Sequence, residues 1–308
     1  MLLSHALMKK RLFHFFFNKI LVLIKLLKNY RIELVFVDDG SSDNTLNILK
    51  KYKKSIKIQN TKIRIIKLSR NFGHQKAVLA GIHSSSDPDA LVIIDADLQD
   101  PPILIKEFIA KWEKGFDVVY GIRKRRKGES LFKIITARFF YRTLNYLMDY
   151  KFPLDTGDFR LIDKKIVKNF KFFDEDGIYI RGLISWMGFK QIGIEYNRDI
   201  RYAGVTKYPL KKMFTFALDA ITSFSSYPLK IIKNIGFLVM LISLMISIYA
   251  ILMRVFTDSW VSGWTFIIVL ISLFGGLNFV FLGIIAEYIL RLNNQTKKRP
   301  RYIIECEF

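Results

Sequence analysis

The sequence predicts an α/β protein: a doubly wound, mostly parallel sheet, followed by amphipathic helices and a two-helix transmembrane hairpin. Three observations support this fold class. In the N-terminal part, short apolar runs alternate with helical patterns, as they do in βαβ units. Nearer the C terminus, two uncharged stretches each have the roughly 20-residue length that crosses a bilayer. The 308 residues are enough for one catalytic domain and a smaller second part.

Four short apolar runs that lead into turns are predicted to be strands, at residues 32–37, 63–68, 90–94 and 117–121. Helices are predicted after the first three of them, at about 43–52, 74–83 and 101–114. Ser42 or Asp43 can cap the first helix, and proline suits the first turn of the third. Because ligands bind at the carboxyl ends of strands in such sheets, the residues that follow each run are candidate site residues.

The N-terminal segment, residues 1–31, is atypical. Its apolar stretch at 12–27 is interrupted by His14, Lys19 and Lys25, so we do not expect it to span a membrane. A small-residue cleavage site does not follow it, which argues against a signal peptide. We predict a basic amphipathic helix here.

Residues 32–207 are predicted to form the catalytic domain, with an aromatic-rich amphipathic helix at 130–150 that packs on the domain or contacts the membrane. The later segments are predicted to be an interfacial helix at 208–229, a transmembrane part at 230–290 with spans at about 235–253 and 264–286, and a basic tail at 291–308. Basic residues flank the outer ends of both spans. This pattern predicts a multi-pass protein of the inner (plasma) membrane, with the catalytic domain and both termini in the cytoplasm.

The formal net charge of +22 is compatible with nucleic acid, an anionic membrane surface or phosphorylated substrates as partners. Lysines are scattered along the chain, and the sequence contains no known nucleic-acid-binding motif. Anionic membrane lipid is therefore the preferred explanation, and nucleic acid is not expected as a partner. The single cysteine, Cys306, excludes an internal disulfide.

The strongest chemical signal is an acidic triplet, Asp95–Ala96–Asp97, at the end of a predicted buried strand. Two carboxylates on one turn are hard oxygen ligands of the kind that Mg²⁺ or Mn²⁺ prefers, and substrate phosphates and water complete such a shell. Gln99 could orient this turn or contact the metal. The alternative is structural, because an aspartate at a strand end, here Asp100, can cap the following helix.

Further candidates lie at other strand ends and in a basic loop. Asp38 and Asp39 end an earlier strand, where they can bind a ligand or simply form the turn. Asp158 could position or deprotonate an acceptor. Four basic side chains could bind phosphate groups or remain solvated: Arg123, Arg138, Arg201 and Lys207.

Five motifs together carry a resemblance to a known family: VDDGSSDNT at 37–45, SRNFGH at 69–74, DADLQDPP at 95–102, GDFR at 157–160 and RYAGVTKYP at 201–209. In combination they resemble family 2 glycosyltransferases. With two C-terminal spans, they are similar to the polyisoprenyl-phosphate, or bactoprenol, glucosyltransferases and to dolichol-phosphate mannose synthase. The resemblance covers about residues 20–305.

This resemblance implies a GT-A fold and an inverting transfer of a sugar, glucose, from a UDP-sugar to undecaprenyl or another polyprenyl phosphate, for modification of a cell-surface glycan. It implies that Asp95, Asp97 and Gln99 bind the metal and that Asp158 lies near the reacting phosphate. Arg123, Arg138, Arg201 and Lys207 would surround phosphate groups. The nucleotide-sugar is assigned to Asp38, Asp39, Arg70 and Asp95, with Asp39 at the base or ribose. The sequence is also compatible with a homo-oligomer.

One departure from the family bears on activity. Members begin with a strand that ends in a Pro-x-Tyr-Asn-Glu type motif, whereas this chain offers only Phe15–Phe16–Phe17–Asn18–Lys19. The sequence therefore predicts that the first nucleotide-binding strand is missing. A catalytically inactive, truncated membrane remnant or scaffold is the alternative that follows. A processive polysaccharide synthase is disfavoured, because no Gln-x-x-Arg-Trp motif follows the acidic segments.

Overall fold

The computed structural model describes residues 2–4, 10–55, 58, 60–123, 156–173, 179–197 and 264–308, with scattered positions between 232 and 256. The chain divides into two compact units. The first contains the described residues up to 197 together with Arg299–Phe308, and the second contains the described residues from 232 to Lys298.

The first unit is an α/β domain with one eight-stranded sheet. Its strands are β1 (Leu2–Ser4), β2 (Ile32–Asp38), β3 (Thr61–Leu68), β4 (Ala90–Asp95), β5 (Val118–Arg123), β6 (Thr156–Asp163), β7 (Gln191–Tyr196) and β8 (Ile304–Glu307). Its helices are α1 (Lys10–Leu26), α2 (Thr45–Ser55), α3 (His74–Ser84), α4 (Ile105–Trp112), α5 (Lys164–Asn169) and α6 (Ile180–Trp186). The four strands predicted from apolar runs are confirmed within two residues, and the three predicted helices are confirmed as α2, α3 and α4.

The sheet is mixed, with four parallel and three antiparallel strand pairs among the described residues. Its order is β7-β5-β6-β4-β1-β2-β3-β8, and the four strands from β4 to β3 are parallel to one another. Strand β6 runs antiparallel to β4 and β5, and β8 runs antiparallel to β3. The direction of a strand is set by the connection that leads into it, so the apolar pattern of β6 could not reveal its orientation.

The prediction that the first strand is missing was wrong. Residues Leu2–Ser4 form β1, which lies between β2 and β4 and pairs in parallel with both. The strand has only three residues, too few for a period-two pattern to stand out from the sequence. Its backbone nevertheless completes the centre of the sheet, so the sheet has no gap beside β2.

The position of β1 creates the point at which ligands bind in doubly wound sheets. Strands β1, β2 and β3 follow one another in one direction across the sheet, whereas β4 lies on the other side of β1. The carboxyl ends of β1 and β4 therefore diverge at a topological switch point, where the following loops leave a crevice. Asp95 is the last residue of β4 and pairs in register with Ser4.

Helix α1 is the predicted amphipathic N-terminal helix, and its apolar face is part of the domain core. Phe16, Phe17 and Ile20 are fully buried, and the Phe17 ring lies 6.1 Å from that of Phe36 on β2. Burying a phenylalanine contributes up to about 3 kcal/mol, so this face holds the helix to the sheet. Phe15 is exposed on the opposite side.

Helix α3 packs on the other face of β2, because side chains alternate along a strand. There Val35 and Val37 contact Ala77 and Ala80 of the helix. Alanine side chains are short, so the helix lies close to the sheet. This packing brings the first residue of α3, His74, to the edge where β4 ends.

The predicted C-terminal tail ends in strand β8, which pairs with the edge strand β3. Arg64 on β3 forms an ion pair with Glu307, and the backbone groups of Phe308 and Ile65 exchange two hydrogen bonds of 2.9 Å. Strand β8 therefore covers an edge of the sheet that would otherwise expose unpaired backbone groups.

The second unit contains helix α7 (Trp264–Thr296), which includes the predicted span at 264–286. No helix in the described part of the chain is long and apolar enough to cross a membrane, so the predicted hairpin is not found there. The amphipathic helices predicted at 130–150 and 208–229, and most of the span predicted at 235–253, lie outside the described residues.

Candidate active site

Acidic side chains from three strands lie at one edge of the sheet. Asp38 and Asp95 end the parallel strands β2 and β4. Because β6 is antiparallel to β4, its first residues lie at this same edge, and they include Asp158. The sequence placed these carboxylates on one edge, and the sheet brings Asp95 and Asp158 onto neighbouring strands.

Asp39 is held by backbone donors. Its Oδ1 accepts from the Phe72 amide at 2.7 Å and its Oδ2 accepts from the Gly73 amide at 2.9 Å. Charge-assisted bonds of this kind are stronger than neutral ones, so the carboxylate ties the end of β2 to the loop that begins α3. Asp39 therefore holds the loop that precedes α3. Its contact with the base or ribose of a nucleotide stays a prediction.

Gly40 lets the two loops approach each other. Its φ is +65°, and a Cβ there would lie 2.6 Å from the Asn71 nitrogen and 2.7 Å from the Arg70 Cα. A side chain at this position would therefore need both left-handed backbone and displacement of the neighbouring loop. The Arg70 side chain is exposed, and its guanidinium lies 4.1 Å from the centre of the Phe72 ring.

Asp38 is completely buried, and its two oxygens differ. Oδ1 accepts from the Ser41 amide at 3.0 Å, whereas Oδ2 has no hydrogen-bond partner among the described residues. A buried oxygen without a partner costs free energy, and Asp38 bears this cost at the carboxyl end of β2. The side chain has no exposed surface, and the nucleotide-sugar contact assigned to Asp38 stays a prediction.

The acidic triplet forms a tight turn after β4. Asp97 Oδ1 accepts from the Gln99 amide at 3.1 Å, and Leu98 between them has a φ of +63°. A left-handed leucine is unusual and is held here by the turn and by burial of its side chain. The turn thus fixes the direction in which Asp97 projects from the sheet edge.

Burial and neighbouring carboxylates disfavour the charged form of Asp95. Burial is the largest cause that raises its pKa to about 6, and the His74 imidazole opposes that shift. The nearby carboxylates of Asp158, Asp97 and Asp100 add to the increase, so this edge favours an added positive charge.

These residues fit a magnesium or manganese ion as a partial set of ligands. Asp95 and Asp97 provide hard oxygen atoms, and Gln99 lies on the same turn. The described residues contain no group of three or more His, Cys, Asp or Glu side chains that could hold a metal alone. Mg²⁺ commonly binds through one or two carboxylates together with substrate phosphates and water, so two protein carboxylates are enough for this chemistry.

Asp158 is surrounded by donors. The Arg181 Nε donates to its Oδ1 at 2.7 Å, while His74 Nε2 at 2.7 Å and Gln75 Nε2 at 3.3 Å approach its Oδ2. Burial alone would raise its pKa, but the charges of Arg181 and His74 outweigh burial and hold the pKa of Asp158 well below its usual range. A carboxylate so stabilised is a weak base, which favours an orienting role over deprotonation.

His74 lies between the two carboxylates at the centre of the site. Its Nε2 is 2.7 Å from Asp158 Oδ2 and 3.8 Å from Asp95 Oδ1. Burial acts to lower its pKa, but the hydrogen bond to Asp158 and the charges of both aspartates raise the pKa to about 9. The imidazole is therefore charged at neutral pH.

Asp100 and Arg123 lie beside this centre. Asp100 is buried and accepts a hydrogen bond from the Tyr196 hydroxyl. Arg123 Nη2 is 3.9 Å from Asp100 Oδ2, and its Nε donates to the Tyr196 oxygen at 3.4 Å. Gly157 makes room for this guanidinium, because a Cβ there would lie 2.9 Å from the Arg123 Cζ. Arg123 is thus held beside the site, where it was predicted to bind phosphate.

Three predicted phosphate-binding residues, Arg138, Arg201 and Lys207, lie outside the described residues. Conversely, His74 and Arg181 were not predicted as site residues. His74 begins the helix that follows the end of β3, and helix starts of this kind border the ligand crevice in doubly wound sheets, which is a signal that could have marked it. Arg181 is 23 residues from its partner Asp158 in the sequence, and nothing local indicates that they pair.

The chain is similar to known proteins over nine-tenths of its length. A family model described as Glycosyl transferase family 2 matches residues 16–170. The chain is 46% identical to the uncharacterized glycosyltransferase YkcC of Bacillus subtilis, over 91% of this chain and 85% of that protein. It is 36% identical to a prophage bactoprenol glucosyl transferase homolog of Escherichia coli, over 91% of this chain and 90% of that protein.

Two further comparisons are with a phage protein and a solved structure. The bactoprenol glucosyl transferase of Shigella phage SfX is 35% identical, over 91% of this chain and 90% of that protein. A mannosyltransferase from Pyrobaculum calidifontis, solved in complex with GDP-Man and Mn²⁺, aligns with a TM-score of 0.47 and 16% identity. That alignment covers 67% of this chain and 57% of the mannosyltransferase chain.

Proposed function

Because this chain belongs to glycosyl transferase family 2 and is a glycosyltransferase with a GT-A-like α/β domain, we propose that it transfers glucose from UDP-glucose to undecaprenyl phosphate or a similar polyprenyl phosphate. The observation that carries this proposal is the similarity, over nine-tenths of the chain, to proteins named as bactoprenol glucosyl transferases. The product would be a lipid-linked sugar for modification of a cell-surface glycan.

The inactive-remnant alternative rested on a missing first strand. Since β1 pairs with both β2 and β4, that reason no longer applies. The carboxylates at the ends of β2 and β4 also lie where a nucleotide-sugar would enter a doubly wound sheet. An active transferase is therefore the function that the arrangement supports best.

The proposed reaction needs little acid–base chemistry from the protein. A phosphate oxygen of the acceptor attacks the anomeric carbon, the bond from that carbon to the diphosphate oxygen breaks, and UDP leaves with inversion. A phosphate monoester with a second pKa of about 6 is already ionised at neutral pH. This agrees with Asp158, whose low pKa and several donors suit it to orient neighbouring cations and not to remove a proton.

The departing diphosphate is the charge that the site must stabilise. We assign Asp95 and Asp97, with Gln99 on the same turn, to a bound Mg²⁺ or Mn²⁺. When bound there, the ion would neutralise negative charge on the leaving group. Arg123, held by Asp100, would add a fixed positive charge beside it.

We also propose that the second unit holds the chain at the inner (plasma) membrane, with the first unit on the cytoplasmic face. Residues 264–286 carry no charged side chain, and large apolar side chains of α7 such as Ile271 and Phe279 are exposed. Lys297, Lys298 and Arg299 follow α7 as a basic flank of the kind found on the cytoplasmic side. A lipid acceptor could then reach the site without leaving the bilayer.

The test compares membranes that contain the wild-type chain with membranes that contain Asp97→Asn or Asp89→Asn. Given labelled UDP-glucose, undecaprenyl phosphate and Mn²⁺, the wild type should form labelled glycolipid, and Asp97→Asn should lower the rate by about 100-fold or more because a metal ligand is lost. Asp89 is exposed and precedes β4 at its opposite end, so Asp89→Asn should retain activity.

Two results would contradict the proposal. One is a wild-type chain that forms no glycolipid with any UDP-sugar, and the other is full activity of Asp97→Asn. The same preparations test the location: recovery of the chain in the soluble fraction after lysis, without detergent, would contradict attachment to the membrane.

A further inference from the structure

His74 connects two strands that serve different substrates in the proposed reaction. It is the first residue of α3, and its Nε2 lies 2.7 Å from Asp158 on β6 and 3.8 Å from Asp95 on β4. Asp95 begins the turn assigned to the donor, whereas Asp158 is predicted to lie near the acceptor. The imidazole is thus placed between the donor side and the acceptor side of one site.

The sheet itself makes such a connection necessary. Strands β4 and β6 are antiparallel, and Ile93 pairs with Arg160. Continuing that register by two residues places Asp95 opposite Asp158. Like charges directly opposite on neighbouring strands repel each other, so the two carboxylates would tend to separate. A donor between them offsets that repulsion and sets their distance.

Two other contacts keep Asp158 in place if the imidazole is removed. Arg181 donates to it at 2.7 Å from α6, and Gln75 donates to it at 3.3 Å from α3. Helix α3 is also packed on β2 through Ala77 and Ala80, independently of His74. The fold around the site therefore does not depend on His74, whereas the spacing between Asp95 and Asp158 does.

We propose that His74 is a positioning residue for the glycosyl transfer: by contacting Asp95 and Asp158 together, it fixes the acceptor side of the site relative to the donor side. The inference rests on the proposed function. It assigns no bond-making step to His74, which acts through the two aspartates. Its effect is on how often the acceptor phosphate oxygen and the anomeric carbon are aligned for attack.

The experiment compares His74→Ala and His74→Gln with His83→Gln in the glycolipid assay, with kcat and KM measured separately. Loss of a residue that orients site carboxylates typically costs roughly 10- to 100-fold in activity, so we expect a fall of that size in kcat for His74→Ala. The KM for the UDP-sugar should remain unchanged. His74→Gln retains a donor for Asp158 and should recover part of kcat.

The matched control is a second histidine of the same helix. His83 lies in the last turn of α3, where it contacts Tyr302 and the Phe170 carbonyl, away from the site. His83→Gln should retain kcat. Calorimetric binding of UDP-glucose with Mn²⁺ should be the same for wild type and His74→Ala, and both should unfold in one cooperative transition, which separates positioning from loss of the fold.

Three outcomes overturn the inference. Wild-type kcat in His74→Ala would show that the spacing of the aspartates does not matter. A parallel loss of kcat, UDP-glucose binding and the cooperative unfolding transition would assign His74 to the fold. A wild-type chain without glycolipid product would refute the proposed function itself and this inference with it, and that result is recognised without any variant.

Discussion

Strands β2 and β4 both end in aspartate at the same edge of the sheet, but their surroundings differ. Directly after β2, the two oxygens of Asp39 accept hydrogen bonds from backbone amides of the loop that precedes α3. At the end of β4, Asp95 lies near three other carboxylates and one imidazole, and burial raises its pKa to about 6. The backbone donors make Asp39 a structural link between the end of β2 and the loop before α3. At Asp95, burial and the neighbouring carboxylates favour an added cation.

The end of β2 should therefore be sensitive to changes that move its loops, and Gly40→Ala should have the largest effect. The new Cβ would meet the backbone of Arg70 and Asn71 and would also require a φ of +65°. We expect a loss of about 4 kcal/mol in the free energy of unfolding, near the upper end for single substitutions. Urea unfolding of the purified chain measures it.

Gly73→Ala is the matched control for that change. Gly73 also has a positive φ, of +96°, but a Cβ there meets no atom within 4 Å. Only backbone strain remains, which at φ +96° and ψ 156° costs about 2 kcal/mol. Equal losses of stability in the two variants would mean that the close approach of the loops after β2 does not contribute to the free energy of unfolding. The contacts of Asp39 with the loop before α3 would then have no stabilising role.

Replacing Asp39 with asparagine should lower the free energy of unfolding, whereas the same change at Asp95 should not lower it. Asp39→Asn leaves one of the two part-buried amides of Phe72 and Gly73 without an acceptor and the other with a neutral one, and should cost about 3 kcal/mol of stability. Asp95→Asn removes a carboxylate that is disfavoured by burial and should be neutral or stabilising by about 1 kcal/mol at pH 7 without divalent metal. Urea unfolding measures both variants. A similar loss of stability in both would show that the surroundings of Asp39 and Asp95 do not differ in the way described.

The strands that the sequence revealed are those with long apolar runs, β2 to β5, because burial on both faces leaves a continuous pattern. Strand β1 escaped notice because Leu2–Ser4 is too short to show any period. Strand β8 was assigned to a basic tail because the charged residues before it dominate the composition, although Ile304–Glu307 alternates between apolar and acidic residues. The order and direction of the strands depend on contacts between distant parts of the chain.

The site was predictable where its residues end a strand and follow one another, as in Asp95–Ala96–Asp97. The partners of those residues were not, because they come from other elements. His74 reaches Asp158 from 84 residues away, and Arg181 reaches it from 23 residues away. The sequence could therefore name the carboxylates but not the charged side chains that surround each of them.

The smallest expected effect on stability comes from the charge on His74, which lies between Asp95 and Asp158. Its pKa is raised from an ordinary 6.5 to about 9, so the protonated form stabilises the fold. This contribution is fully present below pH 6.5 and is lost as the pH rises through 9, while Asp158 stays ionised throughout. Because the side chain is partly exposed, we expect about 1–2 kcal/mol, measured as the difference between wild type and His74→Gln in urea unfolding from pH 6 to 10. A difference that stays constant over this range would show that His74 is neutral, and the repulsion between Asp95 and Asp158 would then be offset by hydrogen bonding alone.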